Sequence, residues 1–449
     1  MTQNAHQVLT RKRRRASRLS EGTPIRPLDY ELRYAGKHAE SDVLAGPQTV
    51  SRPRLSVTRG ETSGWRNRLY LGDNLGLLRR LLHDSAVCHK VRLVYIDPPF
   101  ATGGVFESRN GNRAYDDVAH GSNYLEFLRQ RMILLRELLT RDGSLYLHLD
   151  AKMIFPAKVI MDEVFGPANF RNCITRKKSN RKNFTRKQYG NISDYILFYS
   201  KEGEYFWNRP HEEWTEEWAH REYQYVDSAT GRRYKKVPVH APGVRRGETG
   251  KPWRGKPPPP GKHWQYPPTY LDELDARGEI YWSPTGNPRR KIFFDQSQGV
   301  PLQDIWLDCR DAHNQNIEIT GYPTEKPIDL LRRIVEASSE PGDLVMDCFM
   351  GSGTTIVAAE ELDRRWIGID SGMEAIETTI KRLAHGSEPM GDFVNGKKAK
   401  ANSPTLFDHP SALRTSFDLY ACEEMACVSK DALQAWLSLF RKASASVHA

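Results

Sequence analysis

Apolar residues along this chain recur with two periods, and the two alternate. A run of β-formers from Leu69 to Leu71 leads into Asp73-Asn74, which reads as a helix cap, and then into Leu75, Leu78, Leu81 and Leu82 at helical spacing. Val91 to Ile96 reads as a buried strand ending at Asp97. Leu125, Leu128, Met132, Leu135, Leu138 and Leu139 mark one face of a helix over 123–139, which Asp142-Gly143 closes before a strand from Ser144 to Leu149. The alternation returns later as a helix after Pro327 (Leu330, Leu331, Ile334, Val335), a strand Leu344 to Met346, a helix Thr354 to Leu362 and a strand Trp366 to Ile369. Repeated strand, helix, strand predicts a parallel sheet flanked by helices, a doubly wound α/β core.

Residues 201–305 break the pattern. Trp207, Trp214, Trp218, Trp253, Trp264 and Trp282 share them with many Pro, Gly and Arg, including Pro257 to Pro260, so an inserted, loop-rich domain is predicted there. The core is thereby split into 51–200 and 306–390. Residues 1–50 are polar and carry Arg11, Lys12, Arg13, Arg14 and Arg15, which predicts a flexible basic arm. The extension 391–449 opens as a linker and ends in a helix capped by Ser429, with Leu433, Trp436, Leu437 and Phe440 on the face expected to pack against the core.

Composition narrows the setting. The 449 residues allow two or three domains, and 66 Lys and Arg against 56 Asp and Glu give +10, which favours a polyanionic partner. Cys88, Cys173, Cys309, Cys348, Cys422 and Cys427 show neither metal-ligand nor disulfide-framework spacing, so no metal is expected and a reducing, cytoplasmic location is. No run approaches the roughly 18 apolar residues of a membrane span.

Two motifs carry chemistry. In Asp343-Leu-Val-Met-Asp347-Cys-Phe349-Met-Gly351-Ser352-Gly353-Thr354-Thr355 a strand runs into a glycine turn that opens a helix, where backbone can approach a ligand and free N–H groups can meet an anion. The next strand ends at Asp370, seventeen residues past Gly353, about where an acid meets a ribose in nucleotide-binding αβ units. Together they describe an adenosine pocket. A phosphate loop would need Gly-Lys-Ser/Thr, and Thr354 follows Gly353; a dinucleotide enzyme stays open on this motif alone.

The second motif, Asp97-Pro98-Pro99-Phe100, lies where a strand emerges at the carboxyl edge of the sheet. Prolines withhold donors, leaving carbonyl oxygens beside the Asp97 carboxylate. Acceptors without donors suit a target with its own N–H groups, such as the exocyclic amine of a nucleobase. Hydrogen bonds from that amine to Asp97 and to the Pro98 carbonyl would favour a pyramidal nitrogen with an available lone pair, and Phe100 would offer a flat surface to a base swung out of a duplex.

On these motifs the chain resembles the β-group amino-methyltransferases, and most of all the adenine-specific modification (Mod) subunits of type III restriction systems. Their Asp-Pro-Pro motif precedes the target-recognition domain and their glycine motif follows it, the order found here. Similarity runs from about Asn67 to Arg382 and includes Leu71-Gly72-Asp73-Asn74, Asp194-Tyr195 to Lys201, and Pro323-Thr324-Glu325-Lys326-Pro327. The resemblance implies a Rossmann-like methyltransferase sheet with an inserted target-recognition domain, and S-adenosylmethionine as cofactor. It implies that Asp73, Asp97, Thr324, Lys326, Pro327, Asp347, Phe349, the Gly351-to-Thr355 turn with Ser352, Gly353 and Thr354, and Asp370 line the cofactor site, Lys326 reaching the methionine carboxylate. Asp97 to Phe100 match the catalytic motif. Tyr322 stands where many relatives have His, Cys348 where Pro is common, Phe100 where adenine enzymes more often have Tyr, and Ala101 where Asn is usual. These departures bear on the base rather than the reaction. N4-cytosine methylation and a non-catalytic DNA-binding subunit are the alternatives to N6-adenine methylation.

Double-stranded DNA is the expected partner. The run Arg176, Lys177, Lys178, Arg181, Lys182, Arg186, Lys187 is expected to meet its phosphates. Base-specific reading falls to the insert, with Arg232, Arg233, Arg245, Arg246, Trp253 and Arg254 as candidates for groove contacts or stacking, although each tryptophan better suits a small core. The resemblance alone suggests a homodimer, and any restriction activity would need a separate restriction subunit, whose existence the sequence leaves open.

Overall fold

The computed structural model describes residues 30–58, 64–99, 105–107, 113–116, 121–180, 187–311, 322, 325–385, 416–425, 428–440 and 444–447. The chain divides into two compact units, one made of residues up to Asn208 and from Gln303 onward, the other of Arg209–Leu302.

The larger unit is built on an eleven-stranded sheet. Its strands along the chain are β1 (Ser51–Thr58), β2 (Asn67–Leu71), β3 (Val91–Ile96), β4 (Leu139–Leu149), β5 (Phe170–Lys177), β6 (Ser193–Ser200), β7 (Ile305–Trp306), β8 (Leu344–Asp347), β9 (Arg365–Asp370), β10 (Phe417–Cys422) and β11 (Ser444–Val447). Its helices are α1 (Glu40–Ala45), α2 (Asn74–Leu81), α3 (Gly121–Leu138), α4 (Ile154–Phe165), α5 (Ile328–Ser338), α6 (Thr354–Glu361), α7 (Met373–His385) and α8 (Lys430–Leu439). In space the strands run β7-β5-β6-β4-β3-β8-β9-β2-β10-β1-β11. The six from β4 to β10 are mutually parallel, and antiparallel pairing begins at β6 on one side and β1 on the other.

Burial explains the central strands. Val91, Leu93, Val94 and Ile96 of β3 and Val345 and Met346 of β8 are fully enclosed, as a parallel sheet covered on both faces requires. The connections also locate a site. β3 returns through α3 to β4 on one side, whereas β8 returns through α6 to β9 on the other. β3 and β8 are therefore neighbours whose connections leave in opposite directions, and the crevice at their carboxyl ends is the place where such sheets bind ligands.

Two boundaries differ from expectation. Residues 30–50 are not a free arm. The Tyr30 and Tyr34 hydroxyls donate to Asp162 and Glu126, both at 2.7 Å, Lys37 pairs with Glu163 at 2.8 Å, and α1 buries Val43. Too few apolar residues exist there to fold alone, but polar anchors on α3 and α4 fix the segment. Arg11 to Arg15 lie outside the described residues. At the other end β10 enters the sheet between β2 and β1, while α8 buries Leu433, Trp436 and Phe440 under the Ser429 cap.

The smaller unit has a four-stranded antiparallel sheet (Tyr225–Val226, Arg233–Pro238, Pro288–Phe293, Ile280–Trp282, in that order) and a core of Val239, Trp253, Trp264, Leu271, Leu274 and Ile280.

Candidate active site

β3 delivers Asp97 to the crevice. Its Oδ2 lies 2.5 Å from Lys326 Nζ, and both side chains are largely enclosed. Its Oδ1 is buried with no hydrogen-bond partner among the described residues. A buried acceptor left unmatched costs about 1–3 kcal/mol, so Oδ1 is a place for a donor. The Pro99 carbonyl accepts from the Tyr124 hydroxyl, which fixes the turn after Asp97 from α3. Phe100 lies outside the described residues, as does Thr324.

From β8 the glycine turn faces the same crevice. Gly351 and Gly353 both adopt left-handed backbone, φ 51° and 76°. A Cβ on Gly353 would come within 2.5 Å of Thr379 Oγ1, so the turn needs glycine for space as well as conformation. Asp370, at the end of β9, accepts from the Gly351 N–H at 2.9 Å and from the Gly372 N–H at 2.7 Å. Burial pushes its carboxyl upward against those two bonds. The Thr354 hydroxyl receives Arg382 at 2.9 Å and lies 3.1 Å from Ser352 Oγ, which braces the first turn of α6. Pro327 caps α5, directly after Lys326.

Asp347 is enclosed beneath the turn, accepting from the Thr355 hydroxyl at 2.6 Å and the Phe349 N–H at 2.9 Å. Burial, then the nearby Asp97 and Asp370 carboxylates, push its carboxyl up to about 7 despite those bonds. A raised folded pKa stabilises most below the ordinary carboxylate range, and that stability is lost as the pH rises through the folded value. The wild-type protein is thus expected to lose roughly 1.4 kcal/mol per pH unit on this account between about pH 4 and 7. Asp347→Asn should lack that slope, and parallel melting-temperature profiles for the two proteins would refute the assignment.

Asp73 caps α2, accepting from the Leu75 N–H, and is held by Arg131 at 3.1 Å. Arg131 belongs to neither sequence motif. Its guanidinium lies 3.6 Å from the Phe127 ring centroid, bonds Asn74 Oδ1 at 2.5 Å, and burial pushes its pKa down to about 10. Asn74 in turn donates to the Cys348 carbonyl at 2.6 Å, so Arg131 ties the Asp73 cap to the strand that carries the glycine turn. Phe349 sits against Phe127, with ring centroids 5.8 Å apart. The signal for Arg131 in the sequence is a basic residue in helical register with Tyr124, Leu128 and Leu135.

The basic run resolves into different parts. Arg176 is not open to phosphate: it is fully buried, 3.1 Å from Asp194 and 2.5 Å from Asp311, and donates to the Cys309 carbonyl. Adjacent charge in the sequence conceals the alternation of a strand, which turns every second residue inward. Lys177 and Lys178 are partly exposed and Lys187 is exposed, while Arg181, Lys182 and Arg186 lie outside the described residues. In the smaller unit Trp253 is 2% exposed, stacked on Trp282 and bonded to Asp272, so it fills the small core and is not available to read bases. Arg254 is half-exposed, with its charge met by Asp272 and Asp275, and Arg232 pairs with Asp295. Arg245 and Arg246 are exposed.

Residues 91–381 match the N6/N4 family described as DNA methylase. The type II methyltransferase M.EcaI of Enterobacter cloacae is 45% identical over 407 residues, 90% of this chain and 89% of that protein. The type III restriction-modification enzyme StyLTI Mod subunit of Salmonella typhimurium is 26% identical over 375 residues, 74% of this chain and 56% of that subunit. Among solved structures, a complex of M1.HpyAVI with SAM aligns over 70% of this chain and 98% of that one, at 17% identity and a TM-score of 0.39.

Proposed function

This chain belongs to the N6/N4 family of DNA methylases, and from that premise we propose that it methylates the N6 amino group of adenine in a base turned out of duplex DNA. The methyl donor is S-adenosylmethionine. The residues at the crevice suit that cofactor. Left-handed Gly351 and Gly353 clear the approach to the first N–H groups of α6, and Asp370 keeps acceptor capacity beside the turn for ribose hydroxyls. When bound, the cofactor supplies a methyl group made electrophilic by its sulfonium.

The chain's own contribution is to prepare the nucleophile. Asp97 Oδ1 accepts one N–H of the base amine and the Pro98 carbonyl the other, drawing the nitrogen lone pair out of conjugation with the ring. The observation that carries this reading is the buried, unmatched Asp97 Oδ1 at the carboxyl end of β3. Acceptors serve either amino base. Adenine is preferred on the resemblance to type III Mod subunits, and duplex DNA with Lys177, Lys178 and Lys187 along its phosphates is the substrate proposed.

The test is nucleoside mass spectrometry of duplex DNA treated with the purified chain and S-adenosylmethionine. N6-methyladenine is expected. N4-methylcytosine in its place would overturn the choice of base, and unmodified DNA despite cofactor binding would favour a DNA-binding subunit without turnover.

A further inference from the structure

The segment beginning at Asp194-Tyr195 matches the family by sequence yet has no part in the chemistry above. Asp194 is 2% exposed. It lies 3.1 Å from Arg176 and 3.1 Å from His148 Nε2, whose other ring nitrogen shares a 2.7 Å hydrogen bond with the Tyr95 hydroxyl. Tyr95 is the last residue but one of β3, two positions before Asp97. Burial alone would raise the Asp194 carboxyl, but His148, Arg176 and Lys326 together hold it well below the usual carboxylate range. Lys326 thus pairs with Asp97 directly, while Asp194 reaches the strand that delivers Asp97 through His148 and Tyr95.

A carboxylate can rotate, and a catalytic one must present a chosen oxygen. Lys326 binds Oδ2 of Asp97 and leaves Oδ1 buried and unmatched. We propose that Lys326 is a positioning residue for Asp97, fixing Oδ2 so that Oδ1 alone meets the base amine, and that buried Asp194, itself held by Arg176, braces the strand that presents Asp97 through His148 and Tyr95. This rests on the reading of Asp97 as the acceptor of the amine. It differs from the role the resemblance gives Lys326, contact with the methionine carboxylate. Asp194 acts here at one remove and touches no reacting atom.

The two roles separate experimentally in the full chain. Turnover at saturating S-adenosylmethionine is compared with calorimetric affinity for S-adenosylhomocysteine, which keeps the carboxylate, and for 5′-methylthioadenosine, which lacks it. Lys326→Met is expected to lower kcat roughly a hundredfold, as loss of an orienting partner does, with S-adenosylhomocysteine affinity within about threefold of wild type. Lys326→Arg, which keeps the charge, should recover part of that rate. Asp194→Asn should lower kcat about tenfold with both affinities unchanged. The proposal is overturned if Lys326→Met keeps near-normal kcat at saturation while S-adenosylhomocysteine alone binds much more weakly, or if Asp194→Asn turns over normally. Asp97→Asn separates the levels: if it stays active, the reading of Asp97 falls and this inference with it. If it is inactive while Lys326→Met is active, only the inference falls.

Discussion

Replacing Asp97 with Asn is expected to slow methyl transfer roughly a thousandfold at saturating cofactor, about 4 kcal/mol of barrier. Asparagine keeps the volume and one carbonyl oxygen, so the turn after β3 should survive. It cannot keep two acceptors: its amide NH2 either faces Lys326, leaving two donors opposed, or takes the place of the buried Oδ1 and meets the base amine donor to donor. The glycine turn and Asp370 stand on β8 and β9, so S-adenosylhomocysteine should bind within a few-fold of wild type. Single-turnover transfer of a labelled methyl group, beside calorimetry, measures both quantities. A rate within tenfold of wild type would remove Asp97 from the chemistry.

What could be read from the sequence shares a property with what that experiment probes: it is local. The Asp73 cap, the glycine turn and the strand ending at Asp97 are each fixed by a few consecutive residues, and the structure has all three where spacing put them. The crevice between β3 and β8 joins residues some 250 positions apart, yet two motifs at strand ends implied it, because the α/β rule supplies the topology that spacing cannot. Elements set by distant pairing stayed hidden. β1 and β10 align antiparallel, Ser51 opposite Cys422, across nearly the whole chain, and neither strand announces its partner. Buried charge was hidden for a different reason. Arg131 and Arg176 look like surface residues until their carboxylate and amide partners come together from other elements.

Arg176→Leu is accordingly expected to destabilise the protein by about 3–5 kcal/mol at neutral pH, because it leaves Asp194 charged in a buried place. The sign of the pH dependence follows from Asp194. Its carboxyl is held low, so its contribution is present above the ordinary carboxylate range and is lost as the pH falls through the depressed folded value. The deficit of the variant should therefore be largest near pH 7 and shrink toward pH 4 and below, where protonation relieves the carboxylate that Arg176 no longer meets. Lys177→Ala with Lys178→Ala should behave oppositely. Both lysines are partly exposed, so melting should change little, while the slope of log affinity for DNA against log salt should flatten by about 0.9 for each phosphate that is no longer neutralised. Differential scanning fluorimetry across pH and a salt titration of DNA binding check the pair. A melting temperature for Arg176→Leu within about 2 °C of wild type at pH 7, together with a flattened salt slope, would return Arg176 to the DNA surface and remove the buried Arg176–Asp194 pair.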